Sequence, residues 1–370
     1  MKRYSAIDLF CGAGGLSLGL KKAGFDIKLG VDVDEKVLAT YKNNFEKVIV
    51  IQEDIKKINA KDILNNTKIK EGSNFLLAGC PPCQGFSNIG KRDEKDVKNQ
   101  LVFEYIRLIK EMKPTFILME NVPGMSIGVG KKIFKKCIEE LELQYYIEFE
   151  TLNAADYGVP QIRKRLVLHG VRKDVYKVLM DKFPKEIKNI LPNKTHSDNE
   201  IGKTTKKWIT VEEVLKGLPE IKAGEKYEGK EVFNHVARNI SETNLIRLDY
   251  IRKHNGSRYC LTDDLVLKCH KNNISYGDTY GVLYNNKPAP TLTSGCTSIT
   301  KGRYGHPIQN RGISVREAAR IQSFPDDFEF VGNIGSMSLQ IGNAVPPKLA
   351  EASGKRIIFL MNLYEQCNKI

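Results

Sequence analysis

In the first half of the chain, short apolar runs alternate with stretches whose apolar residues recur every three or four positions. Tyr4 to Phe10 is one such run and leads into Cys11-Gly-Ala-Gly-Gly15. Leu16, Leu20 and Ala23 follow at helical spacing, and Gly24 closes the segment. This spacing predicts a strand, a tight glycine loop and a helix. The rhythm continues with a strand from Ile27 to Val31 ending at Asp32, then a helix with Val37, Leu38 and Tyr41 on one face. Val48 to Ile51 predicts a third strand before Glu53-Asp54, and Phe75 to Ala78 a fourth, fully buried one. Leu101, Tyr105, Leu108 and Met112 line a helix that Pro114 stops. Thr115 to Met119 predicts a fifth strand ending at Glu120-Asn121, and Lys131 to Leu143 another helix. Tyr146 to Leu152 and Arg165 to Val171 predict two further strands, flanking Gln161-Ile-Arg-Lys-Arg165.

Strand–loop–helix units in series predict an α/β, Rossmann-like, mostly parallel sheet. Gly12, Asp32, Asp54, Cys83 and Glu120 each fall at the carboxyl end of a predicted strand. In an open parallel sheet those ends form the ligand crevice. Glycines let a ligand approach the backbone closely, and a helix N-terminus favours an electron-rich group. The loop is not G-x-G-x-x-G, because position 17 is Ser17, which argues against a nicotinamide dinucleotide. Asp32 lies twenty residues past Gly12, where a ribose-binding acid belongs; a solvated acid at a strand end is the plainer alternative.

The pattern changes near Phe183. Phe183 to Lys207 is rich in Lys, Asn, Thr and Pro and reads as a linker. From Trp208 to about Gly312 the βα rhythm is absent, and Asn, Gly, Tyr, Thr and basic residues dominate. This predicts a smaller, irregular inserted domain, suited to nucleic-acid contact or simply loop-rich. Order returns at Ser314-Val-Arg-Glu317, a capping box opening a helix that ends before Pro325. Gln340 to Pro347 reads as a turn, with Pro347 in the first turn of a last helix that packs back on the sheet. The expected division is 1–185 with 313–370 as one domain and 186–312 as the other.

Composition narrows the function classes. A chain of 370 residues exceeds one compact core, and 41% apolar with 28% charged residues is ordinary for a globular protein. No apolar run is long enough to span a bilayer, and Asp8 interrupts any signal-peptide core, so a cytoplasmic location is expected. The formal charge of +14 suits a polyanionic partner, though a Lys-rich composition alone would produce it as well. Eight cysteines without a secretory signal are expected to be reduced.

The sharpest candidate chemistry is Cys83. The run Phe75-Leu-Leu-Ala-Gly79 stops abruptly, and Cys80-Pro-Pro-Cys-Gln-Gly85 follows. A buried strand ending in a rigid turn delivers a side chain to an opening, which reads as a nucleophilic thiol. Cys80-Pro-Pro-Cys83 is also C-x-x-C, so a thiol–disulfide oxidoreductase is a rival reading, although it leaves the glycine loop unexplained. A zinc site at His254, Cys260, Cys269 and His270 is a further alternative, but the spacing matches no compact finger. His169, in an apolar strand, reads as a structural histidine.

Six blocks in order resemble the bacterial DNA (cytosine-5) methyltransferases over nearly the whole chain. They are Asp8-Leu-Phe-Cys-Gly-Ala-Gly-Gly15, Pro81-Pro-Cys-Gln84, Glu120-Asn-Val122, Gln161-Ile-Arg-Lys-Arg165, Arg316-Glu-Ala-Ala-Arg320 and Gly342-Asn-Ala-Val-Pro346. The resemblance implies an S-adenosylmethionine-dependent methyltransferase fold with the insert as target-recognition domain. It implies Cys83 as the nucleophile on cytosine C6, Glu120 at ring N3, and Arg165, with Arg163, supporting the attacked base. It places S-adenosylmethionine along Phe10, Gly12, Ala13, Gly14, Gly15 and Leu16, with Asp32 and Val33, Asp54 and Ile55, Pro82, Asn343 and Val345. It implies a cytosine flipped out of double-stranded DNA, with contacts from Gln84, Ser87, Lys91, Arg92 and Thr291 and a lid over Ser87 to Val97. Cys80, Lys98 and Val33 depart from residues common in the family. A cognate restriction endonuclease and a monomeric state are further expectations. A DNA-binding protein with an inactive site, or methylation of RNA, would need only small changes to this reading.

Overall fold

The computed structural model describes residues 3–82, 100–198, 204–254, 256–271 and 277–367. These fall into two compact units, one of 1–153, 164–194 and 345–370, the other of 154–163 and 195–344.

The first unit contains the sheet. Its strands are β1 (Ser5–Leu9), β2 (Asp26–Asp32), β3 (Ile49–Gln52), β4 (Phe75–Gly79), β5 (Phe116–Asn121), β6 (Tyr145–Asn153) and β7 (Lys164–Arg172). They lie in the order β3-β2-β1-β4-β5-β7-β6. Neighbours from β3 to β5 are parallel, while β7 runs antiparallel to both β5 and β6. The expected mostly parallel α/β sheet is therefore observed. The central strands are buried from end to end; Phe75–Gly79 and Phe116–Asn121 have no exposed position. This is the pattern of strands covered on both faces.

Helices α1 (Gly15–Ala23), α2 (Glu35–Asn44), α3 (Ala60–Thr67), α4 (Leu101–Met112), α5 (Lys131–Leu141) and α6 (Lys173–Lys182) alternate with the strands. Of these, α3 and α6 were not anticipated from periodicity. Asp34 and Asn59 begin α2 and α3 as side-chain caps, accepting from Lys36 and Lys61 N–H groups. Tyr105 of α4 donates to both Leu77 O and Leu118 O at 3.0 Å, locking that helix to β4 and β5. The last helix also belongs to this unit and opens at Pro347, as its sequence predicts. It packs on α1 so closely that a Cβ on Gly19 would lie 2.3 Å from Pro347 O and 2.4 Å from Ala350 Cβ. The two ends of the sequence are thus joined in one core.

The stretch read as a linker is partly core. Ile187 and Ile190 are buried, and Ile190 N–H donates to Glu148 Oε2 at 2.8 Å. Two apolar residues among lysines and asparagines escape a compositional reading, because burial needs only the i, i+3 pair.

The second unit has little regular structure. It holds the short strands β8 (His196–Ser197) and β9 (Lys206–Lys207), and helices α7 (Val211–Leu215), α8 (Glu242–Lys253), α9 (Val315–Ile321) and α10 (Ile334–Asn343). The Ser314–Glu317 capping box is formed in both directions. Where a turn was expected from Gln340, α10 continues to Asn343 and the turn starts at Ala344. Residues 313–344 pack with this unit, whereas the functional division expected from sequence ends the insert at 312. The final helix is α11 (Pro347–Cys367) of the first unit.

Candidate functional site

In the first unit, β1 to β5 present their carboxyl ends on one edge. Leu9 is paired with Val31 on one side and Gly79 on the other, and Gly79 with Met119. The loop after β1 is built for a ligand. Phe10, Gly12 and Gly14 have φ of 62°, 53° and 98°. A Cβ on Gly14 would sit 2.4 Å from the Phe45 ring, whereas one on Gly12 would meet nothing within 4 Å. Gly14 is thus demanded by packing, while Gly12 leaves an open cradle. Ala13 and Leu16 are buried, and α1 begins without a side-chain cap. Asp32 closes the loop, its Oδ2 accepting Gly12 N–H at 2.9 Å and its Oδ1 accepting Asp34 N–H at 3.0 Å. Burial raises the Asp32 pKa, against the pull of those N–H groups. Val33 is 66% exposed beside it. Asp54 accepts Lys56 N–H at 3.0 Å, and Ile55 is buried.

The ends of β4 and β5 are tied together. Asn121 Nδ2 donates to Pro81 O at 3.0 Å, and Cys80 N–H to Leu9 O at 3.2 Å. Glu120 pairs with Arg165 of β7, Oε1 to Nε at 3.0 Å, both side chains mostly buried. The sulfur of Cys80 is pushed well above the usual thiol range by burial and by the Glu120 carboxylate. That disfavours the thiolate of Cys80. Cys83, Gln84, Ser87, Lys91 and Arg92, and the expected lid, lie outside the described residues. Pro82, partly buried, and Val345, buried, belong to this unit.

The second unit brings together four sequence blocks through Arg163. This side chain is 1% exposed. Its Nη1 donates to Leu292 O at 2.8 Å and its Nη2 to Gly342 O at 2.7 Å and Ala344 O at 3.3 Å. Gln161 accepts Leu292 N–H at 2.9 Å and donates to Gln322 Oε1 at 2.5 Å, just past α9. A Cβ on Gly342 would lie 2.1 Å from Thr293 O, so only glycine allows this approach. Arg163 therefore clamps the backbone on either side of Asn343, next to the segment carrying Thr291. Thr291 is exposed at its hydroxyl, which donates to Ile162 O at 2.8 Å. Sequence reasoning grouped Arg163 with Arg165, but their surroundings differ: one holds main-chain carbonyls, the other a carboxylate.

Among the described residues, no group of three His, Cys, Asp or Glu could hold a metal. His254 stacks on Tyr250 and His270 lies edge-on to Tyr280. Also among the described residues, no helix is long and apolar enough to cross a membrane. His169 is buried, with Nδ1 2.8 Å from Ile190 O. Burial, with the nearby Arg356 charge, lowers its pKa from 6.5 to about 4. The folded state therefore keeps it neutral where the unfolded chain takes a proton. Stability from this residue is complete above pH 6.5 and is lost as pH falls towards 4, amounting to about 3 kcal/mol. Chemical denaturation at several pH values should show the loss, and His169→Gln should flatten that part of the profile; an unchanged profile would mean the histidine does not titrate there.

Comparison with known proteins agrees with this geometry. The family described as C-5 cytosine-specific DNA methylase matches residues 4–359. Type II methylase M.HgiDII of Herpetosiphon aurantiacus is 34% identical, the match covering 98% of this chain and 97% of that protein. Type II methyltransferase M1.HphI of Haemophilus parahaemolyticus is also 34% identical, over 95% of this chain and 86% of its own. A crystal structure described as a DNA modification methyltransferase encoded within an E. coli prophage superposes with a TM-score of 0.67 at 30% identity, covering 97% of this chain and 99% of that one.

Proposed function

We propose, for a chain that belongs to the C-5 cytosine-specific DNA methylase family, that it transfers a methyl group from S-adenosylmethionine to C5 of a cytosine in a specific duplex DNA sequence. The observation that carries this reading is the Glu120–Arg165 pair at the edge of a parallel sheet whose glycine loop and Asp32 frame an open cradle. When bound, S-adenosylmethionine supplies an electrophilic methyl group on a sulfonium. Phe10, the Gly12–Gly15 loop and Leu16, Asp32 with Val33, Asp54 with Ile55, Pro82 and Val345 are the residues of the first unit assigned to hold it. Asn343, which lies between the two carbonyls that Arg163 Nη2 holds, is assigned to it as well.

The chemistry follows from the base. Cytosine C5 is too weak a nucleophile to take a methyl group unaided. Addition of the Cys83 thiolate to C6 makes C5 enamine-like, and covalent catalysis replaces one hard step with easier ones. Glu120 hydrogen-bonds ring N3 and assists its protonation, while Arg165 supports the O2 side. Charge developing on the ring is thereby met by groups already oriented by β5 and β7. Loss of the C5 proton then expels the thiol. A base inside a duplex is out of reach, so the cytosine is flipped out. Arg163 acts as a positioning residue for the backbone near Thr291 and Asn343. The segment 186–312 reads the target, and the names of the two relatives given above, a Type II methylase and a Type II methyltransferase, suggest a place in a restriction–modification system.

Bisulfite sequencing of DNA from cells expressing the protein tests the reaction and reads the target together. Label found on adenine, or on cytosine N4, would overturn the assignment. Glu120→Gln should slow transfer on the order of 10²-fold while leaving donor binding unchanged. Undiminished turnover would remove Glu120 from the mechanism.

A further inference from the structure

One buried group near the glycine loop has no place in the chemistry above. Asp8 sits in β1 with no exposed surface. Ser17 Oγ of α1 donates to Asp8 Oδ2 at 2.6 Å, and Ser17 Oγ lies 2.8 Å from the Tyr41 hydroxyl of α2. Tyr41 can therefore donate to Ser17 and Ser17 to Asp8, a chain running through β1, α1 and α2. The other oxygen, Oδ1, is buried without a hydrogen-bond partner. Asp32 of β2 acts on Asp8, and Asp8 in turn acts on Cys11 of the loop, Tyr41, Cys80 after β4 and Tyr105 of α4. Among the described residues, no lysine, arginine or histidine is a leading influence on Asp8 or Asp32. A carboxylate here would be dry, half-satisfied and beside a second carboxylate. Such a group keeps its proton. Burial, together with Asp32 and against the Ser17 hydrogen bond, raises its pKa from 3.8 to about 7.

We infer that Asp8 is an internal counter-ion for the methyl donor: it carries a proton in the free protein and releases it to solvent when a ligand of net positive charge occupies the glycine loop. The inference rests on the cofactor reading above. S-adenosylmethionine has a sulfonium and an ammonium against one carboxylate, for a net charge of +1 by its chemistry, roughly one unit more than the thioether product. The O–H bond of Asp8 breaks, the proton passes to buffer, and the resulting carboxylate faces the incoming charge. Donor and product are thus distinguished by charge at a residue that need not touch either. Asp8 is a positioning group in this scheme, acting through helix α1, which it anchors at Ser17 directly behind the glycine loop.

The test is titration calorimetry of the full chain with S-adenosylmethionine in two buffers of different ionisation enthalpy. At pH 6, about one proton should be released per donor bound, and below the titration point binding should tighten up to roughly ten-fold for each unit that the pH rises. At pH 8.5 the release should vanish. S-adenosylhomocysteine should release less at pH 6, and Asp8→Asn should bind donor with no buffer dependence. Native protein with buffer-independent heats at pH 6 would overturn the inference, as would a release that persists in Asp8→Asn or is equal for donor and product. These readings need no DNA and no turnover. Failure to bind donor at any pH would instead overturn the proposed function, and this inference with it.

Discussion

Replacing Cys83 with serine is expected to abolish methyl transfer, by on the order of 10⁴-fold or more, while donor and DNA still bind. A thiol near neutral pH is already a few per cent thiolate and intrinsically very nucleophilic, whereas a serine hydroxyl is neither without a dedicated base. Glu120, assigned to ring N3, is engaged by Arg165 at 3.0 Å. The end of β4 is fixed by hydrogen bonds that Cys83 does not make. Pro81 is held by Asn121 and Cys80 by Leu9, both through the backbone of the β4 end. Radiolabel transfer and a gel-shift assay separate the outcomes. The variant should also fail to form a covalent complex with DNA carrying 5-fluorocytosine at the target, which the native protein should trap in the presence of donor. Loss of DNA binding in the variant would make Cys83 structural, and retained turnover would end the covalent scheme. Cys80→Ser, by contrast, should spare transfer, which a dithiol mechanism would not.

The second large effect concerns stability. Glu317→Ala should destabilise the second unit by about 3–5 kcal/mol, the loss typical of removing one partner from a buried ion pair. Arg311 and Glu317 are 0% and 1% exposed and bidentate, at 2.7 and 2.6 Å. Glu317 also accepts Ser314 N–H at 2.7 Å as part of the capping box and lies 3.4 Å from His306 Nε2. His306 Nδ1 accepts N–H from Ile308 and Gln309, so Nε2 carries the proton and donates to Glu317. Burial opposes the charge on Glu317, but Arg311 and His306 outweigh it and hold the carboxyl well below its usual range. Alanine would strand a guanidinium whose other bonds go to Ile221 O, Gln309 Oε1 and Gly312 O. Replacing both partners, Arg311→Met with Glu317→Leu, should cost less than Glu317→Ala alone. Thermal denaturation followed by limited proteolysis of residues 195–344 checks this. A single variant as stable as the native chain would show that the pair adds nothing.

Much of the first unit can be read from the linear pattern. Strands β1 to β5 are short, largely apolar runs, and β4 and β5, buried along their whole length, are the most legible of them. The glycine loop, Asp32 and Glu120 were placed by their distance from those runs. Asp8 also left a signal, a charged residue inside an apolar strand, but its type alone does not tell a surface acid from a protonated one. Helices α3 and α6 are short, and each buries only two or three residues among lysines, asparagines and aspartates.

The order and spacing of the blocks were enough to specify the sheet, its crevice and the class of reaction, since each depends on contacts within a strand–loop–helix unit or on chemistry that one side chain carries. Folding alone settled the rest. Arg163 and Arg165 are two positions apart and of one type, yet one meets carbonyls 129 and 179 residues away and the other a carboxylate on β5. The proton on Asp8 and the core position of Ile190 depend in the same way on groups that only folding brings near. Partners so distant leave no periodic trace in the chain, because a hydrogen bond constrains separation in space and not along the sequence.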